Sequence, residues 1–213
     1  MLRVMMTVDA VGGVWRYAVD LAHALQRVGA ECLLVGLGPA PSEIQRRECD
    51  ARGIALTWTD EPLDWMEEEA ALDGTGDALV ALAREWGADV LHLNAASQAA
   101  GMPCALPVVV TSHSCVATWW AAVKGTPLPP GWRWQQALTA RGLARADAVM
   151  VPTASHGRAI ADVYGTGVRR HIVANATDDA EASGERRACV LAAGRWWDAA
   201  KNVRTLDAAA AVS

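Results

Sequence analysis

The sequence predicts an α/β fold in which a parallel sheet is covered by helices on both faces. Strand patterns alternate with helix patterns along most of the 213 residues. Most of the strands are continuously apolar, as strands are when both faces of a sheet are buried. Two adjacent glycines, Gly12 and Gly13, separate the first strand from the first helix. A glycine turn of this kind is typical of a strand-to-helix connection.

The first strand and the first helix form the clearest unit. An apolar run from Val4 to Val8 predicts the strand, and apolar residues at steps of three and four from Val14 to Val28 predict a helix that Gly29 caps. Glycines let a ligand approach the backbone closely, and the free N–H groups of a helix N-terminus favour an anion. The glycine pair therefore indicates either a phosphate site or a tight turn that only packs helix on sheet.

Six further strands are predicted in the first 176 residues. They cover residues 32–38, 54–58, 88–94, 107–111, 146–151 and 167–174. Helices are predicted over residues 42–52, 79–86, a stretch ending near 145, and 155–164. Ser155 is the expected cap of the last of these helices. The acidic run that starts at Asp60 is interpreted as a solvated face.

The chain divides into three predicted parts. Residues 1–176 form one domain, and the polar, charged stretch 177–187 is typical of an interdomain linker. Beyond the linker, an apolar strand at 188–193, a turn at Gly194 and an Ala-rich helix ending at Ser213 make one βα unit. One strand and one helix cannot bury a core of their own. We expect this unit to pack on the first domain, on another chain or on a further domain.

Composition argues against several classes of protein. The net charge of −5 and the lack of a basic block argue against a nucleic-acid partner. No apolar run is long enough to span a bilayer and no signal-peptide pattern is present, so we expect a cytoplasmic protein. The five cysteines are widely spaced without a C-x-x-C pair, which favours buried free thiols over disulfides or a metal site.

Ligands of open parallel sheets collect at the carboxyl ends of the strands. The residues predicted at or just after such ends are Gly12, Gly13, Asn94, His113, Ser155 and Asn175. His113 is either a proton carrier, a hydrogen-bond partner for a polar substrate, or a structural histidine. The segment after His113 contains four tryptophans, Trp119, Trp120, Trp132 and Trp134. They are candidates for stacking on a sugar face, or for packing in the core or an interface.

A second candidate site contains Arg195 and Lys201, beside Gly194 and Asn202. A guanidinium and an ammonium at a strand-to-helix turn suit a diphosphate. The alternative is a solvent-exposed turn with charged flanks.

Several enzyme classes lack their motifs. There is no G-x-x-x-x-G-K-[ST], and the Gly36-Leu37-Gly38 segment lacks the third glycine of a dinucleotide fingerprint. Ser155 lacks the glycine two residues earlier that a nucleophile elbow requires. No metal-ligand spacing and no Asp-x-Asp occurs.

Five segments together resemble the retaining glycosyltransferases of family 4, which have the two-domain GT-B fold. The segments are Gly12–Gly13, residues 108–113 (VVVTSH), 146–153 (ADAVMVPT), 173–178 (VANATD), and 193–202 (AGRW through KN). Their order and spacing match over nearly the whole chain. The fourth segment departs from the family's Pro-Asn-Gly pattern, because Ala174 and Ala176 flank Asn175.

The resemblance implies the Rossmann-like N-terminal half of a GT-B fold plus one extra βα unit, with residues 188–213 starting an incomplete nucleotide-sugar (donor) domain. It implies transfer of a hexose from a nucleotide-diphosphate sugar to an unidentified acceptor, with retention and without a metal or other cofactor. The alternative is a non-catalytic, acceptor-binding half or subunit that needs a separate donor-domain partner.

The resemblance also implies roles for individual residues. Gly12 and Gly13 face the donor diphosphate, and Arg195 with Lys201 neutralises that diphosphate as it leaves. His113 lies near the transferred sugar and is the candidate catalytic residue.

Acceptor binding is expected of Asn94, Trp119, Trp120 and Asn175. The family's paired glutamates and most of its nucleotide-binding domain have no counterpart before Ser213. We therefore expect the 213-residue chain alone to be inactive, and to associate as a homo-oligomer or with a donor-domain chain.

Overall fold

Seven parallel strands form one sheet in the computed structural model, which describes residues 1–66, 68–103, 105–176 and 188–211. The strands are β1 (Arg3–Asp9), β2 (Glu31–Leu37), β3 (Ala55–Trp58), β4 (Val90–Leu93), β5 (Val108–Thr111), β6 (Ala148–Val151) and β7 (Arg170–Ile172). Their order is β3-β2-β1-β4-β5-β6-β7. Every neighbouring pair is parallel. The predicted α/β sheet is confirmed.

The strand order reverses beside β1. The chain moves outward from β1 to β3 and then returns to β4 on the other side of β1, where Met6 pairs with His92. The connections that follow β1 and β4 therefore leave the sheet in opposite directions. This divergence opens a crevice at the C-terminal ends of the two strands, where ligands of such sheets bind.

Helices cover both faces of the sheet. They are α1 (Gly13–Arg27), α2 (Glu43–Ala51), α3 (Thr75–Trp86), α4 (Val116–Val123), α5 (Arg133–Arg145), α6 (Ala154–Tyr164) and α7 (Val203–Ala210). The core forms two clusters: Met6 of β1 packs in the one that includes Trp15 of α1, and Met5 in the one that includes Leu79 of α3. Consecutive side chains of a strand point to opposite faces, so β1 is buried on both.

Two aspartates help to fix where neighbouring strands begin. Asp89 accepts the Arg3 backbone N–H at 2.8 Å, and Asp147 accepts the Val108 backbone N–H at 2.8 Å. Each aspartate follows an alanine and precedes an apolar strand. Each carboxylate satisfies a backbone donor at the start of the adjacent strand.

Helix boundaries differ from the predictions in three places. α3 begins at Thr75, four residues earlier than predicted. α4 was not predicted, because Val116–Val123 is apolar nearly throughout and shows no helical periodicity. α6 is capped by Thr153, whose hydroxyl accepts the His156 N–H at 3.1 Å, and not by Ser155, which lies inside the helix.

The strand predicted over residues 188–193 is not formed. Residues 188–194 are exposed and have no helix or strand structure. A strand needs a neighbour for its ladder of hydrogen bonds, and the sheet order places no strand beside this segment. The predicted helix is present as α7 and ends at Ala210. The predicted linker 177–187 lies outside the described residues, and the division into domains stays a prediction.

Four of the five cysteines lie within the described residues, and all four are free thiols. Cys32 and Cys49 are buried as expected, Cys115 is half-buried, and Cys189 is exposed. Cys104 lies outside the described residues. In the same part of the chain, no helix combines the length and apolar character that crossing a membrane requires.

Candidate functional site

A cavity of about 800 Å³ lies at the C-terminal ends of β1, β4 and β5. It occupies the crevice that the strand order creates. Residues from the strand ends, the loop after β3, α4, α5 and the segment after Gly194 line it. The volume is sufficient for a sugar together with a second small molecule.

His113 follows β5 and is held by Asn94, which follows β4. His113 Nε2 lies 2.9 Å from Asn94 Oδ1, and Asn94 Nδ2 donates to the Thr7 carbonyl at 2.6 Å. Because a carbonyl only accepts, the second bond fixes which end of the amide faces His113. Asn94 Oδ1 is then the acceptor, and His113 donates from Nε2–H. Nδ1 of His113 has no partner among the described residues and remains an acceptor at the cavity wall.

A buried network of hydrogen bonds holds Asn94 of this pair in place. Thr7 Oγ1 accepts the Asn94 backbone N–H at 2.9 Å and donates to Gln98 Oε1 at 2.7 Å. Thr7 is fully buried, and Asn94 and Gln98 are each 8% exposed. A satisfied buried network holds its side chains in one geometry. Asn94 therefore positions His113.

Tyr17 of α1 packs against the imidazole ring of His113. Its ring meets the His113 ring edge-on, with centroids 4.5 Å apart and planes at 75°. The Tyr17 hydroxyl lies 3.2 Å from Thr111 Oγ1, which also lies 2.7 Å from His92 Nε2. The His113 ring is thereby fixed from its side as well as through Nε2.

Burial keeps the two central histidines neutral. Burial, with repulsion from His156 as the second cause, lowers the pKa of His113 to about 4. Burial likewise lowers the pKa of His92 to about 4, with His113 as the second cause. A neutral imidazole at pH 7 favours the hydrogen-bond role of His113 over the proton-carrier role.

Arg195 lies beside the glycine turn. Gly12 has φ +101°, and a Cβ added there would lie 3.8 Å from Nη1 of Arg195. No side chain of the described residues caps the N-terminus of α1, so the N–H groups of its first turn remain available to an anion.

Asp9 precedes this turn, and its carboxylate accepts the Val11 N–H at 2.8 Å. Burial raises the pKa of Asp9, while the Val11 bond and the charge of Arg195 lower it. The turn therefore places one carboxylate and one guanidinium at the mouth of the cavity.

The predicted site residues separate into two groups. The structure brings five of them to the cavity wall: Asn94, His113, Trp119, Trp120 and Arg195. Gly12 adjoins the wall through Arg195, and Gly13 begins α1. Lys201 does not line the cavity; its Cγ would lie 3.6 Å from a Cβ at Gly194. Asn175 is exposed, three residues beyond β7, and does not line it either.

Residues 11–181 match the family model described as Glycosyltransferase Family 4. The chain belongs to this family. The match confirms the expected membership of glycosyltransferase family 4. A search of the curated proteins gave no match.

Solved glycosyltransferases share the fold. A glycosyltransferase from Rickettsia africae superposes with TM-score 0.56 at 12% identity, over 81% of this chain and 42% of that one. HepE of Anabaena, in complex with UDP, gives TM-score 0.56 at 12% identity, over 84% and 45%. A UDP-glucosyltransferase from Polygonum tinctorium gives 0.57 at 12%, over 89% and 56%. The family 4 chain thus spans less than half the length of the first two structures, and likeness at this identity shows the fold alone.

Three residues around His113 were not identified from the sequence of this family 4 chain: Thr7 and Thr111, which line the cavity, and Tyr17, which packs on His113. Thr7 and Thr111 are polar residues within apolar strands, a signal that pointed to a buried polar network. Tyr17 lies one helical turn after Gly13, so its place near the glycine turn was deducible. The acidic run is only partly a solvated face, since Leu63 within it is buried and Trp65 lines the cavity.

Metal binding was expected to be absent. Among residues 1–66, 68–103, 105–176 and 188–211, no three His, Cys, Asp or Glu side chains lie together as a metal site would require. The expectation of a metal-free site stays a prediction.

Proposed function

We propose that this chain supplies the acceptor side, and part of the donor-diphosphate site, of a glycosyltransferase that moves a hexose from a nucleotide-diphosphate sugar. The observation that carries the proposal is the position of Arg195, whose Nη1 would lie 3.8 Å from a Cβ added at Gly12, beside the open N-terminus of α1 and in the same cavity as His113. Family membership supports the transferase class. The chain spans less than half of the first two solved structures it matches, so the activity of a whole enzyme is part of the proposal.

The donor diphosphate binds at the glycine turn in this proposal. The first-turn N–H groups of α1 and the helix dipole favour negative charge, and Arg195 offers a planar fork for two phosphate oxygens. Negative charge grows on the diphosphate as the sugar leaves, so fixed positive groups there stabilise the transition state. Gly13 contributes its N–H to this site. Lys201 is a further candidate contact, six residues after Arg195 in the sequence.

The transferred hexose lies between the diphosphate and His113. Nδ1 of His113 accepts a hydrogen bond from a sugar hydroxyl, because Nε2 already donates to Asn94. The acceptor oxygen bonds to the anomeric carbon while the bond from that carbon to the diphosphate breaks. The acceptor's hydroxyl proton passes to the departing diphosphate, since an imidazole with a pKa of about 4 is a weak base at neutral pH. Attack on the face from which the diphosphate departs gives retention.

Pyrophosphate is the probe that tests the donor site. Calorimetric titration of the chain with pyrophosphate, in the presence of a chelator, should show binding that Arg195→Gln weakens about tenfold or more. Arg204→Gln is the matched control, because Arg204 is an exposed arginine of α7 outside the cavity wall. Absence of pyrophosphate binding, or equal losses in the two variants, would refute the proposed donor site.

A further inference from the structure

Five tryptophans from four segments of the chain line one side of the cavity. They are Trp65 after β3, Trp119 and Trp120 in α4, Trp132 before α5, and Trp197 after Gly194; together they form what we call the tryptophan wall. Trp65, Trp132 and Trp197 are 54%, 42% and 84% exposed. Leaving large apolar surface in water is unfavourable, and exposed apolar patches of this kind mark binding sites. The convergence of separate segments on one cavity indicates a surface for a ligand.

Three polar side chains beside the wall, those of Gln135, Cys115 and Thr118, are engaged in hydrogen bonds within the protein. Gln135 Nε2 donates to the Asp64 carbonyl at 2.5 Å. Cys115 Sγ lies 3.1 Å from the Tyr164 hydroxyl, and Thr118 Oγ1 donates to the Cys115 carbonyl at 3.1 Å. A polyhydroxyl ligand could not bond to these three side chains without breaking bonds within the protein, and each hydroxyl group that loses water without a new partner weakens binding. An apolar ligand body meets no such cost.

Within the described part of the chain, the charged residues of the cavity wall are Asp9, Arg195 and Asp64. Asp9 and Arg195 lie at the diphosphate end. Asp64 lies beside Trp65, and burial raises the pKa of its carboxyl group, with a hydrogen bond from Ser97 acting in the other direction. Lys124 Nζ lies 5.5 Å from the Trp119 ring centroid, but Lys124 is exposed and water screens its charge. A charged ligand body at the tryptophan wall would therefore lose water in exchange for a weak partner.

Indole rings favour a planar partner. Trp119 and Trp120 meet edge-on, with centroids 6.2 Å apart, and such rings gain from a further stacked or edge-on ring beyond the area that is buried. An aliphatic chain gains only from its buried area.

We propose that the acceptor is an uncharged aromatic alcohol, whose ring system packs on the tryptophan wall and whose hydroxyl group reaches the His113 end of the cavity. This inference rests on the proposed function, because it names the acceptor of that same site. The transfer step is the one given above, with the alcohol oxygen as the attacking atom.

The test uses 2-naphthol as the probe and the ten indole N–H signals of the chain as the readout in ¹⁵N NMR. The signals of the wall tryptophans should shift on titration, and that of Trp86, which is outside the wall, should not. The anion 2-naphthoate, which has the same ring system, should bind at least about tenfold more weakly than 2-naphthol, because its carboxylate loses water and the exposed Lys124 is a weak, solvent-screened partner.

A pair of variants provides the control. Trp132 and Trp196 are 42% and 43% exposed, but only Trp132 lines the cavity. Trp132→Ala should weaken 2-naphthol binding several-fold while Trp196→Ala leaves it unchanged. Both residues are more than 40% exposed, so neither change removes a core residue.

Three results would overturn the inference: no shift of the wall signals, tighter binding of maltose or 1-octanol than of 2-naphthol, or equal effects of the two variants. A pyrophosphate titration of the same sample separates this failure from failure of the proposed function. If pyrophosphate binds in an Arg195-dependent way and 2-naphthol does not bind, the proposed transferase function stands and the proposed aromatic acceptor is refuted. Binding of 2-naphthol without pyrophosphate overturns both, because the wall then serves a ligand other than an acceptor.

Discussion

Asn94 Oδ1 and His113 Nε2 lie 2.9 Å apart, and the other end of the same amide is bound to the Thr7 carbonyl. These two bonds leave one tautomer for the neutral imidazole, with the proton on Nε2. Nδ1 of His113 is therefore a hydrogen-bond acceptor at the cavity wall. A residue of β1, one after β4 and one after β5 together set the protonation pattern of the central side chain.

Asn94→Asp is the variant that disturbs this arrangement most directly. A carboxylate beside His113 stabilises the charged imidazolium, so the pKa of His113 should rise from about 4 by more than one unit. The same change places a carboxylate oxygen against the Thr7 carbonyl, and the free energy of unfolding should fall by roughly 1–3 kcal/mol. NMR titration of the His113 ring measures the pKa. Asn175→Asp, at an exposed position, is the control and should leave that titration unchanged.

Stability should fall as the pH is lowered from about 7 to 5.5. The folded-state pKa values of His92 and His113 are lowered to about 4, below the unfolded value of about 6.5, so the unfolded state binds more protons in this range. Each histidine then costs about 1 kcal/mol at pH 5.5, measured by urea unfolding. Asp9 and Asp64, whose folded pKa values are raised, act with the opposite sign at lower pH.

A pair of histidine variants checks the source of this pH dependence. His92→Gln should reduce the slope of stability against pH, whereas His171→Gln, at an exposed position, should not. A slope that is unchanged in His92→Gln would show that the buried histidine does not contribute to it.

Gly12→Ala should destabilise the chain and weaken pyrophosphate binding. The backbone at Gly12 has φ +101° and ψ −148°, a region essentially restricted to glycine, so alanine there costs roughly 1–3 kcal/mol. Gly13→Ala is the matched control for stability: a Cβ there meets nothing within 4 Å, and the residue lies at the start of α1. Thermal unfolding of both variants measures the difference. Equal losses would contradict the assignment of strain to Gly12.

Gly142→Ala tests how closely α5 packs against the short helical turn at Ala96–Ala99. A Cβ at Gly142 would overlap the Ala96 carbonyl, and a backbone atom cannot move aside cheaply. Overpacking should lower the free energy of unfolding by roughly 1–3 kcal/mol, even though alanine is the better helix former. Gly131→Ala, where a Cβ meets nothing within 4 Å, should show no comparable loss in the same denaturation experiment.

The sheet was predictable because its signals are local. Apolar runs set the strands, and the glycine turn and the position of His113 after β5 follow from where those runs end. Asn94 and His113 were identified as strand-end residues, and parallel strands bring their carboxyl ends to one edge. What could not be read from the sequence was their mutual bond, which depends on the register of β4 against β5.

The loops were less predictable, because irregular backbone has no periodicity to show where it folds back. Trp65 and Trp132 reach the same cavity as Trp119 from segments with no helical or strand pattern of their own. The segment 188–194 had an apolar pattern but no neighbouring strand to pair with, so local propensity did not suffice. Asn175 was expected at the site, but β7 is the edge strand, farthest in sheet order from β1 on that side.

Simultaneous binding of pyrophosphate and 2-naphthol is the most direct test of a two-substrate site in this cavity. We predict that saturating pyrophosphate leaves the affinity of the chain for 2-naphthol within about threefold, because a cavity of about 800 Å³ has room for both ligands and the glycine turn and the tryptophan wall consist of different residues. The wall indoles would report 2-naphthol, and the amides of Gly12 and Gly13 would report pyrophosphate, in one NMR sample. Mutual exclusion of the two probes, or pyrophosphate shifts that lie away from the glycine turn, would contradict the account.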